Sequence, residues 1–153
     1  MSKPELSAIL PHKSPMILID EIIDYSLEER ALQSKVHINS KNLFFDNNIS
    51  AVPVWLGIEY MAQSIGALSG IYQLKFSGKN PELGFVIGSR NYECFVENFK
   101  DGESLIIKVK ELFFDSELGA FDCQILINNK VAASAQINVF QPASAEEFIK
   151  NYE

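Results

Sequence analysis

With 153 residues, 47% of them hydrophobic, the chain has the length of one domain (1–153) and can bury a sizeable core without disulfide or metal staples. Thirteen Lys and Arg against twenty Asp and Glu leave a formal charge of −7, so nucleic acid, whose phosphates would be repelled, is not an expected partner. Cys94 and Cys123 lie far apart without metal or redox spacing, and Met1 to Leu6 holds no apolar signal core; buried thiols, a cytoplasmic location and no membrane span are expected.

Pro4 to Leu10 is a short helix candidate that ends at Pro11. Met16 to Tyr25, rich in Ile and Leu, reads as a strand, and Ala31 to Ile38 alternates in period two as a second. In that second strand Leu32, Ser34, Val36 and Ile38 share one face, while Gln33, Lys35 and His37 share a polar one. Pro53 stands where a first helical residue is well tolerated, and Val54 to Tyr72 follows as one helix, apolar nearly all round. Its small residues, among them Gly57, Ala62, Gly66 and Gly70, permit close backbone approach to a sheet. Glycine in a helix costs about 1 kcal/mol relative to alanine, so these positions imply a packing gain elsewhere.

Ser77 to Pro81 is a loop. Strands are then expected over Leu83 to Phe95, interrupted near Gly88, and over Ser104 to Phe114, Ala120 to Ile127 and Val131 to Phe140. Asn128-Asn129 suits a tight hairpin turn, and Ala143 to Glu153 a short surface helix. Lys75 with Lys79, and Lys108 with Lys110, read as solvated faces that an acidic carrier protein could also use. The expected fold class is α+β, with a strongly curved antiparallel sheet wrapped around one long central helix and a second subunit covering what remains.

Glu59 is the one charge between Asn47 and Leu74. A carboxylate on so apolar a helix is expected to be buried, and is then costly unless paired, hydrogen-bonded or protonated. Helical spacing places Trp55 one turn before it and Ala62, Gln63 and Gly66 on its face. Gln63 could donate to the carboxyl group. At 1.5 Å per residue Glu59 lies roughly 9 Å from Pro53, near enough for first-turn N–H groups to polarise a carbonyl on a ligand that also touches Glu59. A structural ion pair with Arg90 or a lysine fits the spacing equally well. Phosphate loops, nucleophile elbows, paired cysteines and histidine pairs at helical spacing are absent, so neither serine–histidine hydrolysis nor a metal site is expected.

Two segments carry a family resemblance. Leu10-Pro-His-Lys-Ser-Pro-Met-Ile-Leu-Ile-Asp-Glu-Ile22 and Pro53-Val-Trp-Leu-Gly-Ile-Glu-Tyr-Met-Ala-Gln63 resemble the matching segments of hotdog-fold 3-hydroxyacyl-[acyl-carrier-protein] dehydratases, and Phe85-Val-Ile-Gly88 the strand that follows. The variant wording, with Gly88-Ser-Arg-Asn-Tyr-Glu-Cys94, is most similar to the dehydratase-like proteins of aryl-polyene-type clusters. The resemblance runs from about Leu6 to Phe140. It implies a hotdog fold, a homodimer or a heterodimer with a related subunit, and no cofactor beyond the phosphopantetheine arm of an acyl carrier protein.

The implied reaction eliminates water from a 3-hydroxyacyl thioester to give the trans-2-enoyl thioester, in fatty acid or polyene biosynthesis. Glu59 matches the family's helical carboxylate, and Val54 the residue whose amide holds the thioester oxygen. The family's histidine, which flanks the substrate from the partner subunit, has no counterpart in Phe44-Phe-Asp-Asn-Asn-Ile-Ser50, where Asn47 and Asn48 stand instead. Three readings follow. The first is an active dehydratase with Glu59 as acid and His12, or a water held by Asn47 or Asn48, as base; Gln63 and Arg90 would bind substrate. The second is a hotdog acyl thioesterase. The third is a non-catalytic acyl-carrier-binding subunit that pairs with an active relative. His12 could equally cap a turn, and Arg90 could be a counter-ion rather than a clamp.

Overall fold

A computed structural model describes residues 6–9, 17–76, 85–115 and 117–140, without the side chains of residues 7, 8, 85–87, 89 and 90. His12, the loop after Phe76 and the tail from Ala143 lie outside the described residues. The described elements are α1 (Leu6–Ile9), β1 (Glu21–Ser26), β2 (Ala31–His37), β3 (Ala51–Pro53), a 3-10 turn (Val54–Leu56), α2 (Gly57–Phe76), β4 (Phe85–Cys94), β5 (Asn98–Lys100), β6 (Ser104–Asp115), β7 (Leu118–Ile127) and β8 (Lys130–Phe140). Six strands form an antiparallel sheet in the order β1-β2-β6-β7-β8-β4, and β3 pairs with β5 in a two-stranded sheet.

Alternation decides which face of the sheet meets the helix. Leu32, Ser34 and Val36 of β2 are buried together with Leu105, Ile107 and Val109 of β6 and Phe121, Cys123 and Ile125 of β7. The intervening His37, Lys108, Lys110, Asp122 and Gln124 are exposed. A period of two therefore separates an apolar concave face from a solvated convex one. Helix α2 lies against the concave face with Tyr60, Met61, Ile65, Leu68 and Ile71 buried. Two serines meet inside this contact: the Ser34 and Ser64 hydroxyls are 2.6 Å apart, and Ser64 donates to the Tyr60 carbonyl at 2.9 Å. The buried pair is thus satisfied without water.

Some expectations change. The helix start is tighter than a single helix from Pro53: Pro53 keeps an extended ψ of 140°, a 3-10 turn covers Val54–Leu56, and α2 begins at Gly57. Gly70 admits the backbone of α1 rather than a strand, because a methyl group there would overlap the Ile9 carbonyl. Cys123 is buried as expected, but Cys94 is exposed, since it ends an edge strand whose register shifts between Arg90 and Glu93. The expected interruption near Gly88 is a second register shift, between Val86 and Gly88. Asn128 and Asn129 have φ of 51° and 66°, the left-handed pair that a type I′ hairpin turn requires. Among the described residues no helix is long and apolar enough to cross a membrane.

Helix propensity alone would make Gly70→Ala stabilising by about 1 kcal/mol. Overlap with Ile9 reverses the sign, so urea denaturation should show a loss of about 1–3 kcal/mol. A stabilised variant would mean that α1 does not pack on α2. Burial also pushes the Tyr60 hydroxyl and the Cys123 thiol well above their ordinary values, with Asp20 and Asp122 as the smaller causes. In the unfolded chain these groups ionise near about pH 10 and 8.5. Their contribution to stability is complete below those values and is lost as pH rises toward the folded-state values, because the unfolded chain then binds fewer protons. Denaturation midpoints should fall steadily from about pH 8.5 upward; a flat profile would contradict the burial of both groups.

Candidate active site

The site is built on the turn that leads from β3 into α2. Proline fixes φ at Pro53 to −58°, and its extended ψ ends the strand pairing with β5. The 3-10 turn follows, closed by the Gly57 N–H donating to the Val54 carbonyl. The leading N–H groups of such a segment have no partner within it and carry the positive end of the helix dipole. Glu59 stands in the first turn of α2, where a negative charge is favoured by that dipole.

Glu59 is exposed, which corrects the expectation of a buried carboxylate. The reason is the stripe on which it lies. Ala62, Gly66 and Ser69 on the same side are only partly buried, so along the first three turns the helix is open on this line. Gln63 is turned the other way: it is buried, and its Oε1 accepts the Leu18 N–H at 2.8 Å. It therefore fastens the segment before β1 to the helix, and Ala62 and Gly66, not Gln63, share the face of Glu59. The ion pair seen among the described side chains joins Arg30 to Glu111 at 2.8 Å, and Arg30 also covers the Tyr72 ring near the far end of α2.

Two aromatic side chains stand exposed at the same helix start. Trp55 is 58% exposed, and its ring meets Phe44 edge-on with centroids 5.8 Å apart. Phe44 has a φ of 69°, a strained value for a bulky side chain, in the loop that carries Asn47 and Asn48. That loop is tied by Asp46, which forms a bridge with Ala51 and accepts the Asn48 N–H at 2.8 Å. Asn47 and Asn48 are exposed at its tip. A cleft of about 400 Å³ has Phe44 in its wall, together with Leu18, Asp20, Lys41 and Tyr60 among others. Glu59 is not part of its wall.

The remaining candidates are placed less closely. His12 lies outside the described residues, and so does the side chain of Arg90. His37 is on the convex face, with Nδ1 3.1 Å from the Ser104 hydroxyl and its N–H donating to Asp20 at 2.6 Å. The structure thus brings Val54, Trp55 and Glu59 together on one helix start, with the Asn47–Asn48 loop packed against it through Phe44.

Tyr92 is the neighbour that sequence reasoning missed. Its hydroxyl donates to the Val54 carbonyl at 2.5 Å. Burial raises its pKa well above the ordinary tyrosine value, with Cys94 beside it as a smaller cause, so it stays a neutral donor. Asn91, with φ of 54°, sits in the register shift between Arg90 and Glu93 and turns the strand so that Tyr92 points at the helix. Only the bulge, invisible in a period-two reading, places it there.

The 3-hydroxyacyl-[acyl-carrier-protein] dehydratase FabZ of Chlamydia caviae is 25% identical over 137 residues, 88% of this chain and 87% of that protein. The corresponding protein of Protochlamydia amoebophila is 26% identical over 132 residues, 84% and 82% of the two chains. The dehydratase heterocomplex ApeI:P from Xenorhabdus doucetiae matches with a TM-score of 0.90 and 27% identity over 99% of both chains. The E. coli PaaI protein shares the fold alone, with a TM-score of 0.59 and 10% identity over 78% of this chain and 81% of that one. A family model described as ApeP dehydratase matches residues 4–150, and with that span the chain belongs to the ApeP-like dehydratase family.

Proposed function

We propose that this chain is the carboxylate-bearing subunit of a 3-hydroxyacyl thioester dehydratase of polyene-type biosynthesis, and that a second, histidine-bearing hotdog subunit completes its site. The observation that carries the reading is the exposure of Glu59 at the head of α2, beside exposed Trp55 and Phe44. A catalytic carboxyl group working in open water would have little leverage, whereas a covering subunit would desolvate it and favour the protonated form an acid needs. Strand β4 lies at one end of the sheet, which suits extension of the sheet by such a subunit. The similarity to a chain of a dehydratase heterocomplex supports a partner of related fold.

In the proposed reaction the partner's histidine takes the proton from C2 of the acyl group. The electron pair forms the C2–C3 double bond as the C3–O bond breaks. Glu59 protonates the leaving hydroxyl, water departs, and the histidine returns its proton to the carboxylate. Charge that develops on the thioester oxygen faces the first-turn N–H groups at Val54, where preorganised donors lower the barrier most. The acyl group arrives on the phosphopantetheine arm of a carrier protein, so the chain itself needs no bound cofactor. Asn47 and Asn48, exposed on the loop whose Phe44 meets Trp55, are suited to orient the ligand, but an amide cannot take the C2 proton.

Mass analysis of a 3-hydroxyacyl carrier protein after incubation with the assembled subunits tests this. Loss of one water is expected, and Glu59→Gln should reduce the rate by about 10²–10⁴. Because the side chain is exposed in the single chain, the same change should move that chain's stability by no more than about 0.5 kcal/mol. Loss of the whole acyl group would replace dehydration with thioester hydrolysis, and an undiminished Glu59→Gln rate would remove the carboxylate from the chemistry.

A further inference from the structure

Gly57 and Tyr92 fit each other. A methyl group on Gly57 would overlap the Tyr92 hydroxyl and lie 3.2 Å from its Cζ. The hydroxyl therefore occupies the volume that any other residue at position 57 would need for its side chain. The Val54 carbonyl accepts two hydrogen bonds, from the Gly57 N–H within the turn and from the Tyr92 hydroxyl on β4. The Asn91 bulge delivers that hydroxyl from a strand otherwise remote in sequence.

We propose that Tyr92 is a positioning residue for the dehydration reaction, pinning the Val54 carbonyl so that the first-turn N–H groups stay aimed at the thioester oxygen. The inference rests on the dehydratase reading above and deepens it. The physical link is the peptide plane: the Val54 carbonyl and the Trp55 N–H belong to one rigid unit and point in opposite directions. Holding the carbonyl fixes the direction of that N–H and the ψ of Val54, whose own N–H precedes it. Donation to the carbonyl also polarises the peptide unit and makes the Trp55 N–H a stronger donor. Glu59 lies one turn further along the same helix, so the pin holds the oxygen-binding amides and the acid in one frame. Glycine at position 57 is what lets the hydroxyl come this close.

Tyr92→Phe keeps the ring and removes the pin; Gly57→Ala keeps the hydroxyl but displaces it. Both should be compared with the double variant, in the assembled protein, by turnover of a 3-hydroxyacyl carrier protein and by amide hydrogen exchange over residues 54–58. Each single change is expected to lower kcat by about 10–100-fold, the usual cost of a small misplacement, with KM nearly unchanged. Exchange over residues 54–58 should speed up while the rest of the chain keeps its protection. The double variant should be no worse than Tyr92→Phe, because both changes break the same link. Faster exchange with unchanged kcat would overturn the positioning role and leave Tyr92 a brace of the fold. Unchanged exchange in Tyr92→Phe would overturn the pin itself. A wild-type assembly that performs no dehydration would overturn the dehydratase reading and the catalytic half of this inference with it, and the exchange measurement would still decide the pin.

Discussion

Helix α2 is apolar along most of its length, and the sheet and α1 bury much of it while leaving open the line that carries Glu59 and the C-terminal turn. Tyr60, Met61, Leu68 and Ile71 are buried against the concave face, and that burial holds the sheet in its curve. Along the open line Ala62, Gly66 and Ser69 follow Glu59 at helical spacing. Small side chains there keep the line shallow, so a second surface could come close to the backbone without displacing bulk. The carboxylate and the exposed Trp55 stand at the end of this line nearest the helix start. A surface that is costly to leave in water and a charge that is costly to enclose therefore share one face of the helix. The chemistry proposed for Glu59 reconciles them, since a carboxyl group enclosed by a partner is favoured in the neutral form that can give up a proton.

The helix start gains its precision from being over-determined. Pro53 fixes the entry, the 3-10 turn closes on Val54, and Tyr92 holds the same carbonyl from the sheet. Phe44 is held at a positive φ against Trp55, and Gln63 fastens Leu18 to the helix. Tyr92, Phe44 and Leu18 reach the helix from three different parts of the chain. A donor array built on a loop alone would lack this support, whereas one built on a helix end is rigid before ligand arrives.

Most of the frame was legible in the sequence because it depends on periodicity. The two faces of β2 fall as the alternation of Leu32 to Ile38 predicts, and the Asn128–Asn129 turn follows from residues that tolerate positive φ. The three-residue strands β3 and β5 were not legible, since so short a pairing leaves no pattern. Glu59 was misjudged for a related reason. Alanine, glycine and serine on its stripe count as neutral or apolar, so a partly exposed line looked like one more buried side of the helix. Tyr92 escaped notice because the bulge at Asn91 breaks the alternation that would have assigned its face. Periodicity reports which face is buried, but the close contacts of a site depend on departures from it.

The central claim is that the site is incomplete in one chain and is completed by a histidine-bearing hotdog subunit. Titrating this chain with such a subunit, while following water loss from a 3-hydroxyacyl carrier protein, addresses it most directly. The account predicts background turnover for this chain alone and a rate that rises with added subunit until the two are equimolar. Full turnover by this chain alone, unchanged on adding the other subunit, would contradict it.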